Sequence, residues 1–168
     1  MYQPTDFRIR SALPDDAERV AAIYNQGIEE RSSTFETRLR SIEEMRAAIA
    51  SDHPMLIAIG ADDAVLGWAS LRAYRARACY AGIAEFSIYV DRPARGRGIG
   101  KQLLAALLQA AAARGYWKLL ARIFLFNAAS RALCHTCGFR EVGIYEKHGK
   151  LDGAWFDVVI VEKLLPLI

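Results

Sequence analysis

Two spacings of apolar residues alternate along this chain, one of two residues and one of three to four, and each switch marks a boundary between strand and helix. Phe7–Arg10 reads as a short strand. Pro14-Asp15-Asp16 then opens a helix carrying Val20, Ile23 and Tyr24, with its acids in the first turn where the dipole favours them. Ser41 and Glu44 have the spacing of a capping box and start another helix. Met55–Gly60 and Leu66–Tyr74 are expected to be strands joined through Ala61-Asp62-Asp63. In Gly82–Val90 the residues Ala84, Phe86, Ile88 and Val90 fall on one face and Glu85, Ser87 and Tyr89 on the other. The following helix places Ile99, Leu103, Leu107 and Leu108 on one stripe and ends near Arg114-Gly115. Lys118–Phe126 reads as a buried strand and Ala128–Cys137 as a short helix. Arg140–Lys147 and Ala154–Lys163 form a closing hairpin around Leu151-Asp152-Gly153. With no linker, repeat or low-complexity stretch between them, these elements make residues 1–168 one α/β domain.

Length and composition narrow the class further. A chain of 168 residues with 53% hydrophobic content can bury a proper core. Its net charge of +3 is small and its basic residues are interspersed with acids, which argues against a nucleic-acid or membrane surface. No cationic leader and no apolar run of bilayer length is present, so the expected location is the cytosol. Cys79, Cys134 and Cys137 are an odd set without metal-ligand spacing, and neither disulfides nor a metal are expected.

The candidate chemistry begins where the alternating strand runs into the leucine-rich helix. In Arg95-x-x-Gly98-x-Gly100 the glycines let the backbone turn tightly and approach a ligand, so that several free N–H groups converge. The helix N-terminus adds partial positive charge, and Arg95, Arg97 and Lys101 add full charges, which suits a pyrophosphate. A solvated basic turn explains the same residues. Two familiar glycine loops do not fit: Gly100-Lys101 is followed by Gln102 where a Walker loop needs Ser or Thr, and no G-x-G-x-x-G follows an early strand.

The segment resembles the acyl-coenzyme A loop of the GCN5-related N-acetyltransferases, with Arg95, Gly98 and Gly100 at the matching positions. Phe126-Asn127 through Gly138-Phe139 resembles the family's second landmark, an Asn opening a helix that ends in Gly-Phe. His148-Gly149, Gly153, Trp155 and Asp157-Val158 resemble the tail of the phosphinothricin, methionine sulfoximine and arsinothricin N-acetyltransferases, as do Ile23-Tyr24-Asn25 and Ser33-Thr34-Phe35-Glu36 near the start. The likeness runs from Phe7 to Leu164. It implies a mixed, mostly antiparallel sheet of about seven strands flanked by about four helices. It also implies acetyl-coenzyme A as co-substrate, a small amino-acid acceptor and a homodimer. On the same basis Ile88 and Val90 would give backbone bonds to the coenzyme, Gly96, Arg97, Gly98, Ile99 and Gly100 would wrap its pyrophosphate, and Asn127 and Ser130 would meet its pantetheine arm. Asn127 would serve equally as a helix cap.

Acetyl transfer to an amine needs a group to take the ammonium proton and some provision for the leaving thiolate. Glu85, opposite the core face of its strand, is the candidate base, as a glutamate at the matching position is in the subgroup; an ion pair with Arg72, Arg75 or Arg77, or simple solvation, is its other reading. Where relatives have a Tyr or His seven residues beyond the Asn, this chain has Cys134, either an acid for the thiolate or a packed thiol. Arg72, Arg75 and Arg77 suit carboxylate, phosphinate or arsinate oxygens of an acidic amino acid, with Tyr24, Asn25, Phe35 and Tyr74 as pocket walls, although a solvated basic loop explains the arginines too and aromatics at such spacing are more often core. A protein or peptide N-acetyltransferase and a non-catalytic acyl-coenzyme A binding module remain the alternatives.

Overall fold

The computed structural model describes residues 6–166. Strands β1 (Phe7–Ser11), β2 (Met55–Gly60), β3 (Val65–Ala73), β4 (Ile83–Val90), β5 (Lys118–Phe124), β6 (Arg140–Leu151) and β7 (Ala154–Leu164) form one sheet in the order β1-β2-β3-β4-β5-β7-β6. Helices α1 (Ala17–Glu30), α2 (Ile42–Ile49), α3 (Ile99–Ala113) and α4 (Ala128–Thr136) cover it. All strand pairs are antiparallel except β4 with β5. The mixed seven-stranded sheet with four helices is the architecture that the resemblance implies.

β2 shows why the sheet has a layer on each side. Its sequence MLIAIG is apolar at every position but the last, which suits a strand buried on both faces. Met55, Ile57 and Ile59 pack with Val20 and Ile23 of α1 and Met45 of α2. Leu56 and Ala58 pack instead into the larger cluster with Leu103, Leu104 and Leu107 of α3. A third, small cluster of Phe124, Leu151 and Val158 lies under Phe35, a residue of the α1–α2 loop.

The local signals explain most boundaries. Ser41 Oγ accepts from Glu44 N–H and Glu44 accepts from Ser41 N–H, closing the capping box at the start of α2. Asp152 and Gly153, at φ 49° and 80°, make the two-residue turn between β6 and β7, where both central residues need positive φ. Most other ends differ from expectation by at most a single residue, and three features differ more. β6 continues to Leu151, because a bulge between Tyr145 and Gly149, with Lys147 at φ 47°, interrupts the alternation without ending the strand. β5 stops at Phe124, and Leu104 rather than Leu108 completes the fully buried stripe of α3.

Candidate active site

β4 and β5 pair only at Ile83–Lys118, Ala84–Leu119 and Glu85–Leu120. Beyond Glu85 the two strands diverge, while β4 stays bonded to β3 and β5 to β7 over their lengths. The amide direction follows from the two-residue period: Asp91 N–H bonds to Leu66 O on the β3 side, and Gly82 O accepts from Trp117 N–H on the β5 side. The even-numbered residues of β4 therefore turn toward β5, and the amides of Ile88 and Val90 face an open gap. Such groups require a partner from outside the sheet.

A groove of about 460 Å³ runs from this gap to the N-terminus of α3 and is lined by Ile88, Val90, Gly96, Gly98, Gly100 and Lys101 among others. Gly96 and Gly98 sit at φ 78° and 79°, and a Cβ on either would meet no protein atom within 4 Å. The turn thus needs glycine for its backbone, and the space beside it is vacant for a ligand. Gly98 is the N-cap of α3 and brings no side-chain acceptor, so the first amides of the helix, with its positive dipole end, are left for an anion. Ile99 is buried and belongs to the groove lining.

Two carboxylates fasten the loop to α1. Asp91, nearly buried, accepts from Arg19 Nη2 at 3.1 Å and Gln26 Nε2 at 2.6 Å. Glu30 receives Arg92 Nε at 2.8 Å and Arg95 Nη2 at 3.0 Å. Partial burial opposes the charge of Glu30, but the bonds from Arg95 and Arg92 outweigh it and hold the carboxyl below its ordinary range. Arg95 also donates to Val90 O at 3.1 Å, so its guanidinium braces the loop and reaches the groove only as part of its wall. Arg97 does not line the groove, which leaves Lys101 as the lining cation with no ion pair among the described residues.

On the facing wall, Asn127 Oδ1 accepts from Ser130 N–H at 3.0 Å and caps α4, while Asn127 Nδ2 donates to Ser32 O at 3.1 Å. The cap reading of Asn127 holds, and its other end ties α4 to the α1–α2 loop; Asn127 and Ser130 both stay on the groove wall. Cys134 is 1% exposed and packed in the main core. Burial pushes its thiol up to about 12. Passing its proton to an ordinary thiolate runs uphill, which favours the packed reading.

A second cavity of about 470 Å³ opens on the other side of β4, lined by Tyr24, Phe35, Glu85, Tyr89, Arg72 and Arg122, with Thr34, Glu36 and His148 at its edges. Glu85, 7% exposed, lies at the last residue before the strands part. Arg72, its cross-strand neighbour on β3, donates through Nε at 3.1 Å and Nη2 at 2.5 Å. Arg122 of β5 donates through Nη2 at 3.1 and 2.9 Å to the two oxygens. Tyr24 meets Tyr89 edge-on at 4.8 Å, and Phe35 meets Phe124 edge-on at 4.6 Å. Burial drives the Tyr89 phenol well above its usual range, so it stays protonated. A narrow passage of about 80 Å³ shares Ser87, Tyr89 and Arg122 with this cavity and Ile88, Asn127 and Ser130 with the groove, and so connects the two.

Of the residues expected at the acceptor, Arg72, Tyr24 and Phe35 are brought to the cavity and Arg75, Arg77, Tyr74 and Asn25 are not. Arg75 and Arg77 are exposed on the β3–β4 loop, where Arg75 lies 5.0 Å over the ring of Tyr74. Asn25 exchanges two hydrogen bonds with the backbone of Arg40 and holds the α1–α2 loop in place. Arg122 escaped the sequence reading. Its signal is a single charge within Leu119-Leu-Ala-Arg-Ile-Phe-Leu125, which a buried strand tolerates only where that side chain finds an opening and a counter-charge.

A sheet parted at one parallel pair, an amide-lined anion cradle at a helix N-terminus and a carboxylate-bearing cavity joined to it define a transferase that works on an activated acyl donor. The chain belongs to the GNAT acetyltransferases: the family described as "Acetyltransferase (GNAT) domain" matches residues 9–160. It is 34% identical over 166 residues to a phosphinothricin N-acetyltransferase of Streptomyces coelicolor, covering 95% of this chain and 97% of that one. It is 32% identical over 168 residues to an L-methionine sulfoximine/L-methionine sulfone acetyltransferase of Pseudomonas aeruginosa, covering 92% of each. A solved GNAT phosphinothricin acetyltransferase from Sinorhizobium meliloti, in complex with acetyl-coenzyme A, superposes with a TM-score of 0.90 at 30% identity, over 95% of this chain and 89% of that chain.

Proposed function

We propose that this protein transfers the acetyl group of acetyl-coenzyme A to the α-amino group of a small acidic amino acid of the phosphinothricin, arsinothricin or methionine sulfoximine type, and so confers resistance to it. The observation that carries the reading is the junction at Glu85: a buried carboxylate flanked by two arginines, at the point where an amino-acid-sized cavity meets a passage to the coenzyme groove. The relatives named for phosphinothricin and methionine sulfoximine support this acceptor class.

When bound, acetyl-coenzyme A supplies an acetyl group activated as a thioester. The residues present fit it. The amides after Gly98 and the positive end of α3 would hold the pyrophosphate, and the amide of Val90, on the groove wall, would hold the pantetheine arm as a strand would. Glu85 takes one proton from the acceptor ammonium, and the freed lone pair on nitrogen forms the new C–N bond as the C–S bond breaks. The amine's second proton balances the departing thiolate through water, since Cys134 is ill suited to supply one. The open N–H of Ile88, which lines the passage, would stabilise negative charge on the carbonyl oxygen.

An acetyl-coenzyme A consumption assay across phosphinothricin, arsinothricin, methionine sulfoximine, unmodified neutral amino acids and peptides tests the reading. Preference for the first three supports it, and faster reaction of peptide N-termini would replace it with protein acetylation. A cytoplasmic location and a homodimer belong to the same proposal. For the homodimer, edge strand β6 offers Val142, Ile144 and Tyr145, each about half exposed, as the surface for a second copy.

A further inference from the structure

We infer that Arg122 is the exchange partner that turns Glu85 from a closed ion pair into a working base, by leaving it for the carboxylate of the acceptor. This rests on the proposed acetylation of amino acids.

Without an acceptor, Glu85 is paired with both arginines. Arg72 approaches one of its oxygens through two nitrogens, and Arg122 Nη2 spans both. Three of these four bonds end on Oε2, so Oε1 is held by Arg122 alone, at 3.1 Å, and an ammonium gains full access to it only when Arg122 leaves. The arrangement is nonetheless unequal in solvation. The Glu85 side chain is 9% exposed, whereas that of Arg122 is 44% exposed and that of Arg72 is 62% exposed. Both arginine side chains are thus open to solvent where they line the cavity, while their shared carboxylate is buried.

The charges decide what can displace the pair. Glu85 faces two cations, so this corner carries an excess positive charge; the other carboxylate on the cavity wall, Glu36, is answered by Arg40 at 2.7 Å. An incoming amino acid brings one carboxylate and one ammonium, the complement of an arginine and a glutamate. Its carboxylate takes a guanidinium fork and its ammonium takes the vacated Glu85 oxygen, so two charge-assisted contacts replace one. Arg122 is the better placed of the two for this exchange. It alone lines both the cavity and the passage, so a carboxylate held there sets the neighbouring α-nitrogen at the mouth of the coenzyme channel. Arg72, tied to Glu85 by cross-strand register, stays as the fixed partner.

The exchange makes a free α-carboxylate a condition for turnover as well as for binding. It is tested with phosphinothricin and its α-carboxamide, each assayed with the wild type, Arg122→Met and Arg122→Lys, with thermal unfolding as the check on folding. The wild type should favour the acid over the amide in kcat as well as in KM. Arg122→Met should lose roughly ten- to a hundredfold in kcat/KM for the acid, the usual worth of a charge-assisted contact, and little for the amide, so that discrimination collapses. Arg122→Lys, a cation without the fork, should recover part of it. If Arg122→Met keeps the wild-type acid-to-amide ratio, or loses both acceptors equally while folded, the exchange is wrong and acetyl transfer to amino acids stands. If the wild type acetylates neither compound nor any other amino acid, the proposed function fails and the exchange falls with it.

Discussion

At the residue scale, the site depends on which groups are pinned and which are left open. Glu85→Gln keeps the shape and removes the base, so turnover should fall by roughly 10²–10⁴-fold while acetyl-coenzyme A affinity, measured by calorimetry, stays near normal. Wild-type turnover in that variant would make Glu85 structural. Gly98 has a natural control in Gly115. Both sit near φ +80° with no protein atom within 4 Å of a Cβ, so Ala at either should cost a similar roughly 1–2 kcal/mol of stability. Only Gly98→Ala should also weaken acetyl-coenzyme A, because only there is the vacant space part of the groove. Cys134→Ala should change turnover by less than tenfold. It should also alter the pH dependence of stability. The native chain keeps the thiol protonated up to about 12, whereas the unfolded chain releases that proton above ~8.5. The wild type should therefore lose stability relative to Cys134→Ala as the pH rises from about 8.5 toward 12, and the two should run parallel below it, as denaturant titrations would show.

At the scale of elements, the junctions between loop and helix carry the site. Asn127→Ala removes the cap of α4 together with its link to Ser32, and should cost about 1–2 kcal/mol in chemical unfolding and raise the KM for acetyl-coenzyme A. Much of this was legible in the sequence. The β4–loop–α3 unit announces itself because the strand period, the glycines and the leucine stripe each follow a local rule. The elements that matter for the acceptor follow none. Arg122 reaches Glu85 only because β4 and β5 part beside it, and that divergence brings together two residues 37 apart in the chain, with α3 between them. Arg75 and Arg77 look equivalent to Arg72 in sequence, yet Arg72 is inside the strand and registered against Glu85, whereas the other two belong to the loop beyond Ala73. The fate of Arg95 was equally hidden, since Glu30 lies on a distant helix.

At the scale of the whole molecule, the free edge of β6 bears on the proposed homodimer. A strand of 12 residues with apolar side chains in the open is a hazard for aggregation unless something covers it. Light scattering should give twice the chain mass, and Ile144→Lys with Tyr145→Lys should return it to a monomer; a wild-type monomer at micromolar concentration would remove the homodimer. The parting of β4 from β5 has a different consequence, one of motion. The strand halves 86–90 and 121–124 lack a neighbour on one side, so in the free protein their inward amides should exchange hydrogen with solvent faster than those of β2 and β3, which are paired on both sides. A bound coenzyme arm would act as the absent strand, slowing exchange at Ile88 and Val90 and raising the melting temperature with ligand concentration. The protein would then be most rigid when loaded with donor, and loosest in the interval between one turnover and the next.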